Sequence, residues 1–225
     1  GGVIDPRTGE MIKGHVTLDS LRIRQDRLLI EGLVGTDKTG TGGPGDPVQI
    51  ALARIRQLSA HEVGHTLGLA HNFAASTWGR ASVMDYPAPQ VDVTAGGELD
   101  LSNAYAVGVG AWDVQSIRFA YSQFAPGTDE GQQLETILRE GTSGGKRFLS
   151  DRDARPPGAA NPYAALWDNG PDPVFGLRHE LAVRTIALAH FGERNVRPGV
   201  PLAALQEVLA PLYFHHRYEL TRAAK

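Results

Sequence analysis

The amino-acid sequence predicts an α+β protein with a small N-terminal sheet, one long helix and a mostly helical remainder. Three observations carry that class. Period-two alternation is confined to the start of the chain, around Val16 and Leu18 in "MIKGHVTLDS". An apolar stripe of Ile50, Ala53, Ile55, Leu58 and Leu67 recurs at helical spacing over residues 48–67. Two strongly helical segments, "VFGLRHELAVRTIALAHFG" and "PLAALQEVLAPLYFHHRYELTRAA", close the chain.

Element by element, "DPRTGE" at residues 5–10 is a turn punctuated by Pro6 and Gly9. A strand follows in "MIKGHVTLDS", then a helix carrying Leu21, Leu28, Leu29 and Leu33, whose basic residues near 22–27 form a solvated face. "GTDKTGTGGPGDP" has no apolar residue and reads as a loop. Asp46 before Pro47 is an N-cap with proline at the first helical position, and Gly68 is the stop. Residues 72–100 are expected to be mostly irregular. Helices are expected from Gly110 to Phe124 and over "DEGQQLETILREG", and residues 142–173 are expected to be loop. Pro211 should kink or interrupt the last helix.

Composition narrows the function. The 225 residues include 41% hydrophobic and 21% charged side chains, ordinary for a soluble domain, and the net charge is −3. Nucleic acid and anionic membranes are poor partners for such a chain, and no apolar run approaches a membrane span of about 20 residues. Cysteine is absent, so any metal must sit on histidine and carboxylate. The chain opens "GGVIDPRTGE" without a signal sequence and ends "HHRYELTRAAK" inside a predicted helix, which suggests a piece of something longer.

The stretch "SAHEVGHTLGLAH", residues 59–71, carries the chemistry. His61 and His65 are four apart, so on a helix both imidazoles can reach one point at the zinc–nitrogen distance of about 2.0–2.1 Å. Glu62 stands beside them as the carboxylate that can take a proton from a metal-activated water, the HExxH device of metallopeptidases. Were the helix to continue, His71 would lie roughly 15 Å beyond His61. Glycine alone enters the left-handed conformation without steric cost, so Gly68 can turn the chain back and bring His71 to the same metal.

The pattern His61-Glu62-x-x-His65-x-x-Gly68-x-x-His71 is the metzincin signature, and "SVMDY" at residues 82–86 resembles the Met-turn. "HEVGHTLGLAHNFAAS", "SVMDYPAP" and "DPRTGE", with "GAWDVQSIRFAY", "WDNGPDP" and "HHRYEL", resemble a group of large, exported bacterial metzincin-type zinc proteases. That resemblance implies a zincin-like catalytic domain over residues 1–225. Its upper subdomain would span residues 1–68, including the active-site helix, and its helical lower subdomain residues 69–225. It implies Zn2+ on His61, His65 and His71, Met84 as a hydrophobic floor, and Tyr86 as a donor to the developing oxyanion. The substrate would be a peptide or protein, the location secreted or periplasmic, and flanking segments of a longer chain would pack against this one.

Other readings stay open beside it. The chain could be a zinc-holding scaffold without turnover, although such a site needs no Glu62; a zinc hydrolase of non-peptide substrates is a third possibility. Asp85 could orient a ligand imidazole or merely cap its loop. Asp151, Asp153, Asp168 and Asp172 could suggest calcium, but turn chemistry explains them. His15, His179, His190, His215 and His216 lack ligand spacing. "GHVTL" is a candidate for part of the sheet whose edge strand would bind a peptide by β-augmentation.

Overall fold

The computed structural model describes residues 2–225. Strands β1 (Gly2–Ile4) and β2 (Met11–Gly14) form an antiparallel hairpin closed by the predicted turn, with Asp5 N–H donating to the Glu10 carbonyl. Helix α1 (Ser20–Val34), capped by Asp19, leads through the glycine-rich loop to α2 (Pro47–Thr66). A 3-10 segment at Phe73–Trp78 and a second hairpin, β3 (Asp92–Val93) with β4 (Leu99–Asp100), precede α3 (Ala111–Tyr121) and α4 (Glu130–Thr142). The short α5 (Asp151–Ala154), the long α6 (Pro173–Ala189), α7 (Leu205–Tyr213) and α8 (Arg217–Ala223) complete the chain. This is the α+β class with its small N-terminal sheet. No helix among the described residues is long and apolar enough to cross a membrane.

The core lies between α1, α2, α6 and α7. Ile30, Leu33, Ile50, Ala51, Val183, Ala187 and Leu212 are buried there, with Val91, Leu101 and Ala104 from the segment between α2 and α3. Elements from both sides of Gly68 therefore share one apolar interior. Asp46 organises the entry to α2: its carboxylate accepts from the N–H groups of Gly40, Gly42 and Val48, so one buried side chain caps the helix and gathers the loop before it.

Several local expectations are corrected. Val16 and Leu18 lie outside any strand; the ladder is set by the "DPRTGE" turn, which pairs Gly2 with Gly14, so "GHVTL" contributes only Gly14. That glycine lies against Thr66, at the C-terminal end of α2, where a Cβ would meet the threonine side chain. Helix α3 stops at Tyr121, whose hydroxyl donates to the Leu67 carbonyl left unpaired where α2 ends. Pro211 is absorbed in the last turn of α7, and the break falls at residues 214–216. Residues 142–173 contain α5, which sequence periodicity could not reveal in four residues.

Candidate metal centre

Helix α2 presents His61 and His65 on one face, and a Schellman turn ends it. Leu69 N–H reaches back to the Gly64 carbonyl and Gly68 N–H to that of His65, with Gly68 at φ +84°. The reversal brings His71 alongside. The Nε2 atoms of His61 and His65 are 3.1 Å apart, and those of His65 and His71 3.2 Å. A tetrahedral ion with nitrogens at about 2.0–2.1 Å would separate them by roughly 3.3 Å, so the donor set has the dimensions of a zinc site.

The other ring nitrogens decide the protonation. His61 Nδ1 donates to the Val83 carbonyl at 2.7 Å and His65 Nδ1 to the Leu69 carbonyl at 2.9 Å. A carbonyl can only accept, so each Nδ1 carries a proton, and in the neutral ring that leaves the Nε2 lone pair free. Two such lone pairs facing each other at 3.1 Å repel, and a cation between them removes the conflict. Burial, reinforced by the neighbouring imidazoles and outweighing the Val83 carbonyl, pushes His61 down to about 4, which keeps it neutral and ready to ligate.

His71 has a different partner. Its Nδ1 lies 2.6 Å from Asp151 Oδ2, eighty residues away in the chain. Asn72 arranges the meeting: its side chain donates to the Arg147 carbonyl and accepts from Leu149 N–H, while Phe73 N–H donates to the Leu149 carbonyl. This pins the strand of chain leading into α5 against the third ligand. Burial raises the Asp151 carboxyl, but hydrogen bonds from His71 and Arg155 outweigh it and hold it below the usual range. The loop acidic residue for which turn chemistry was expected thus holds the ring of His71. Asp151→Asn should weaken zinc affinity by about 10–100-fold, measured by competition with a chromogenic chelator; unchanged affinity would show that the contact orients nothing.

Met84 lies directly under α2. It is 1% exposed, and a Cβ on Gly64 would stand 2.2 Å from its sulfur, so the glycine within "HEVGH" is what lets the methionine floor approach. Asp113 at the start of α3 grips the same turn. It accepts from the Ser82 hydroxyl at 2.5 Å, from Val83 N–H at 2.9 Å and from Gly110 N–H at 2.6 Å. The Val83 carbonyl that fixes His61 is thereby held from α3.

Among the described residues, Asp85 makes no hydrogen bond to an imidazole. Its carboxylate accepts from the N–H groups of Ser76 and Tyr86, the loop-capping role, and burial with the Asp168 carboxylate nearby pushes it well above its usual range.

Tyr86 stacks on His61, centroids 5.1 Å apart at 23°, and is 4.8 Å from His71. Its other neighbour is Trp167, 5.3 Å away at 11°. Trp167 adopts φ +64°, a left-handed conformation costing a bulky residue on the order of 1–3 kcal/mol. Its N–H donates to the Tyr86 carbonyl, and the next residue, Asp168, accepts from the Ser76 hydroxyl and pairs with fully buried Arg222 of α8. Helix α8 thus holds an aromatic wall of the centre. Trp167 also borders a cavity of about 450 Å3 whose lining includes Asp26, Glu180 and Glu219. Glu62 follows His61 on α2, half-buried, and no hydrogen bond or ion pair engages its carboxylate among the described residues.

The structure therefore gathers His61, His65, His71, Met84 and Tyr86 around one point. Sequence reasoning missed Gly64, Asn72, Asp113, Asp151 and Trp167 as supports. Only Gly64 left a legible signal, as a helix-weakening residue inside an otherwise helical run. Calcium ligation finds no support in the acidic residues near 151–172: Asp153 and Asp172 cap helices, and Asp168 pairs with Arg222.

A protein-family model described as Met-zincin matches residues 43–225. No curated protein and no solved structure matches the chain.

Proposed function

Because this chain belongs to the Met-zincin family, we propose that it is a zinc-dependent endopeptidase with Glu62 as general base. Zinc is its cofactor, and His61, His65 and His71 are positioned to hold it. The observation that carries the reading is the convergence of three Nε2 lone pairs, each fixed by a partner on Nδ1. Bound there, zinc supplies Lewis acidity, polarising a peptide carbonyl and acidifying water.

The chain's own groups supply the rest. Glu62 accepts a proton from the attacking water and returns it to the leaving amine, so one carboxylate serves both halves of the hydrolysis. Its lack of a partner supports that role, because a base already engaged in an ion pair would have to break it first. The Tyr86 hydroxyl donates to the oxygen on which negative charge develops. Its ring is held for that by His61 on one side and Trp167 on the other.

The test is cleavage of an unfolded protein by the zinc-loaded chain, with and without a chelator. Cleavage that stops with chelator and returns with zinc supports the endopeptidase. A zinc-loaded chain that cuts no peptide bond would leave a zinc-holding module.

A further inference from the structure

Arg155, just after α5, meets several parts of the metal centre at once. Its Nε donates to Asp151 Oδ1, while the other oxygen of that carboxylate holds His71 Nδ1. Its guanidinium carbon is 5.8 Å from the ring centroids of both Phe73 and Tyr86, which sets the cation beside the phenol. Nearly half of the side chain is exposed, so the guanidinium stands at the mouth of the centre rather than in the core.

A pair four residues apart at the surface ordinarily contributes little. This one differs in what its ends touch. Guanidinium can only donate, so toward the neighbouring Tyr86 the phenol oxygen can serve it only as an acceptor. The phenol's own proton is then the one left to give, and a hydroxyl that accepts from a cation is a stronger donor in turn. A cation whose position is tied through Asp151 to His71 therefore biases both the direction and the strength of the Tyr86 donor.

We propose that Arg155 is a positioning residue for the oxyanion: anchored on Asp151, it aims and polarises the Tyr86 hydroxyl toward the scissile carbonyl of a peptide. This rests on Tyr86 being the oxyanion donor. It concerns a residue outside the signature and the Met-turn, placed there only by the fold.

The test compares the zinc-loaded full chain with Arg155→Ala, Arg155→Lys, Tyr86→Phe and the double variant Arg155→Ala/Tyr86→Phe. One readout is calorimetric affinity for a phosphinic pseudo-peptide, whose tetrahedral phosphinate replaces the scissile amide; the others are zinc content, kcat and KM. Arg155→Ala should weaken phosphinate binding and lower kcat by roughly tenfold, with KM and zinc content unchanged. That loss should vanish when Tyr86 is already Phe, and Arg155→Lys should recover part of it. An equal loss in both backgrounds, a change confined to KM, or loss of zinc from Arg155→Ala would overturn the proposal. Phosphinate binding coupled through both residues without any turnover would uphold it while sinking the endopeptidase reading. Tyr86→Phe behaving as wild type would overturn both this proposal and the role assigned to Tyr86.

Discussion

Glu62→Ala should retain zinc and lower kcat/KM for peptide cleavage by on the order of 1,000-fold. The carboxylate is not among the converging nitrogens, so its removal takes no ligand away. Nor does it orphan a partner, because none among the described residues engages it, and alanine is the strongest helix former at a position inside α2. Stability and metal content should therefore match the parent while activity collapses. Metal analysis, a melting curve and a rate on one preparation settle it. Activity within a factor of two or three of wild type would remove Glu62 from the chemistry and with it the mechanism proposed above.

Zinc removal should lower the melting temperature by roughly 8–16 °C at a free-zinc concentration a thousandfold above Kd. Binding to the folded state alone contributes about 4 kcal/mol there, and a chain of this size shifts by about 2–4 °C per kcal/mol. The structural cause is visible at His61 and His65, whose lone pairs face each other 3.1 Å apart and are reconciled by a cation. His71→Ala should abolish most of that zinc-dependent increment, because two ligands on one helix turn remain without the third. Scanning calorimetry with and without chelator checks both. A wild-type melting point indifferent to zinc would mean that the three imidazoles do not act as one site.

The parts of the site within a dozen residues of each other were legible because helical geometry alone relates them. His61 and His65 share a face through the 3.6-residue period, and Gly68 had to be glycine because φ there is +84°. The partners of those ligands were not legible in the same way. Val83 and Leu69 hold imidazoles through backbone carbonyls, which any residue supplies, so side-chain identity leaves no trace of the role. Asp151 sat among acidic residues that turn chemistry explained equally well. Trp167 looked like one more aromatic in a loop until its left-handed backbone and its stack on Tyr86 gave it a place.

The fold divides along the same line. Long periodic segments such as α2 and α6 announced themselves, since an apolar stripe must be buried against something. The β3–β4 hairpin and α5, two to four residues per element, carry too few positions for a period to show. Pro211 marked a disturbance in the last helix, but packing decided that the chain would break three residues later.

By itself, then, the sequence determined the α+β class, the three histidines placed to hold a metal, the adjacent carboxylate and the methionine beneath them, because each follows from spacing along one local stretch of chain. Only the tertiary structure decided how those groups are held. Asn72 ties the third ligand's loop to the chain entering α5, Asp113 grips the methionine turn from α3, and Arg222 anchors from α8 the segment that carries Trp167. The physical reason is that a ligand's chemistry belongs to one residue, whereas its orientation belongs to whichever distant group packing brings within hydrogen-bond reach.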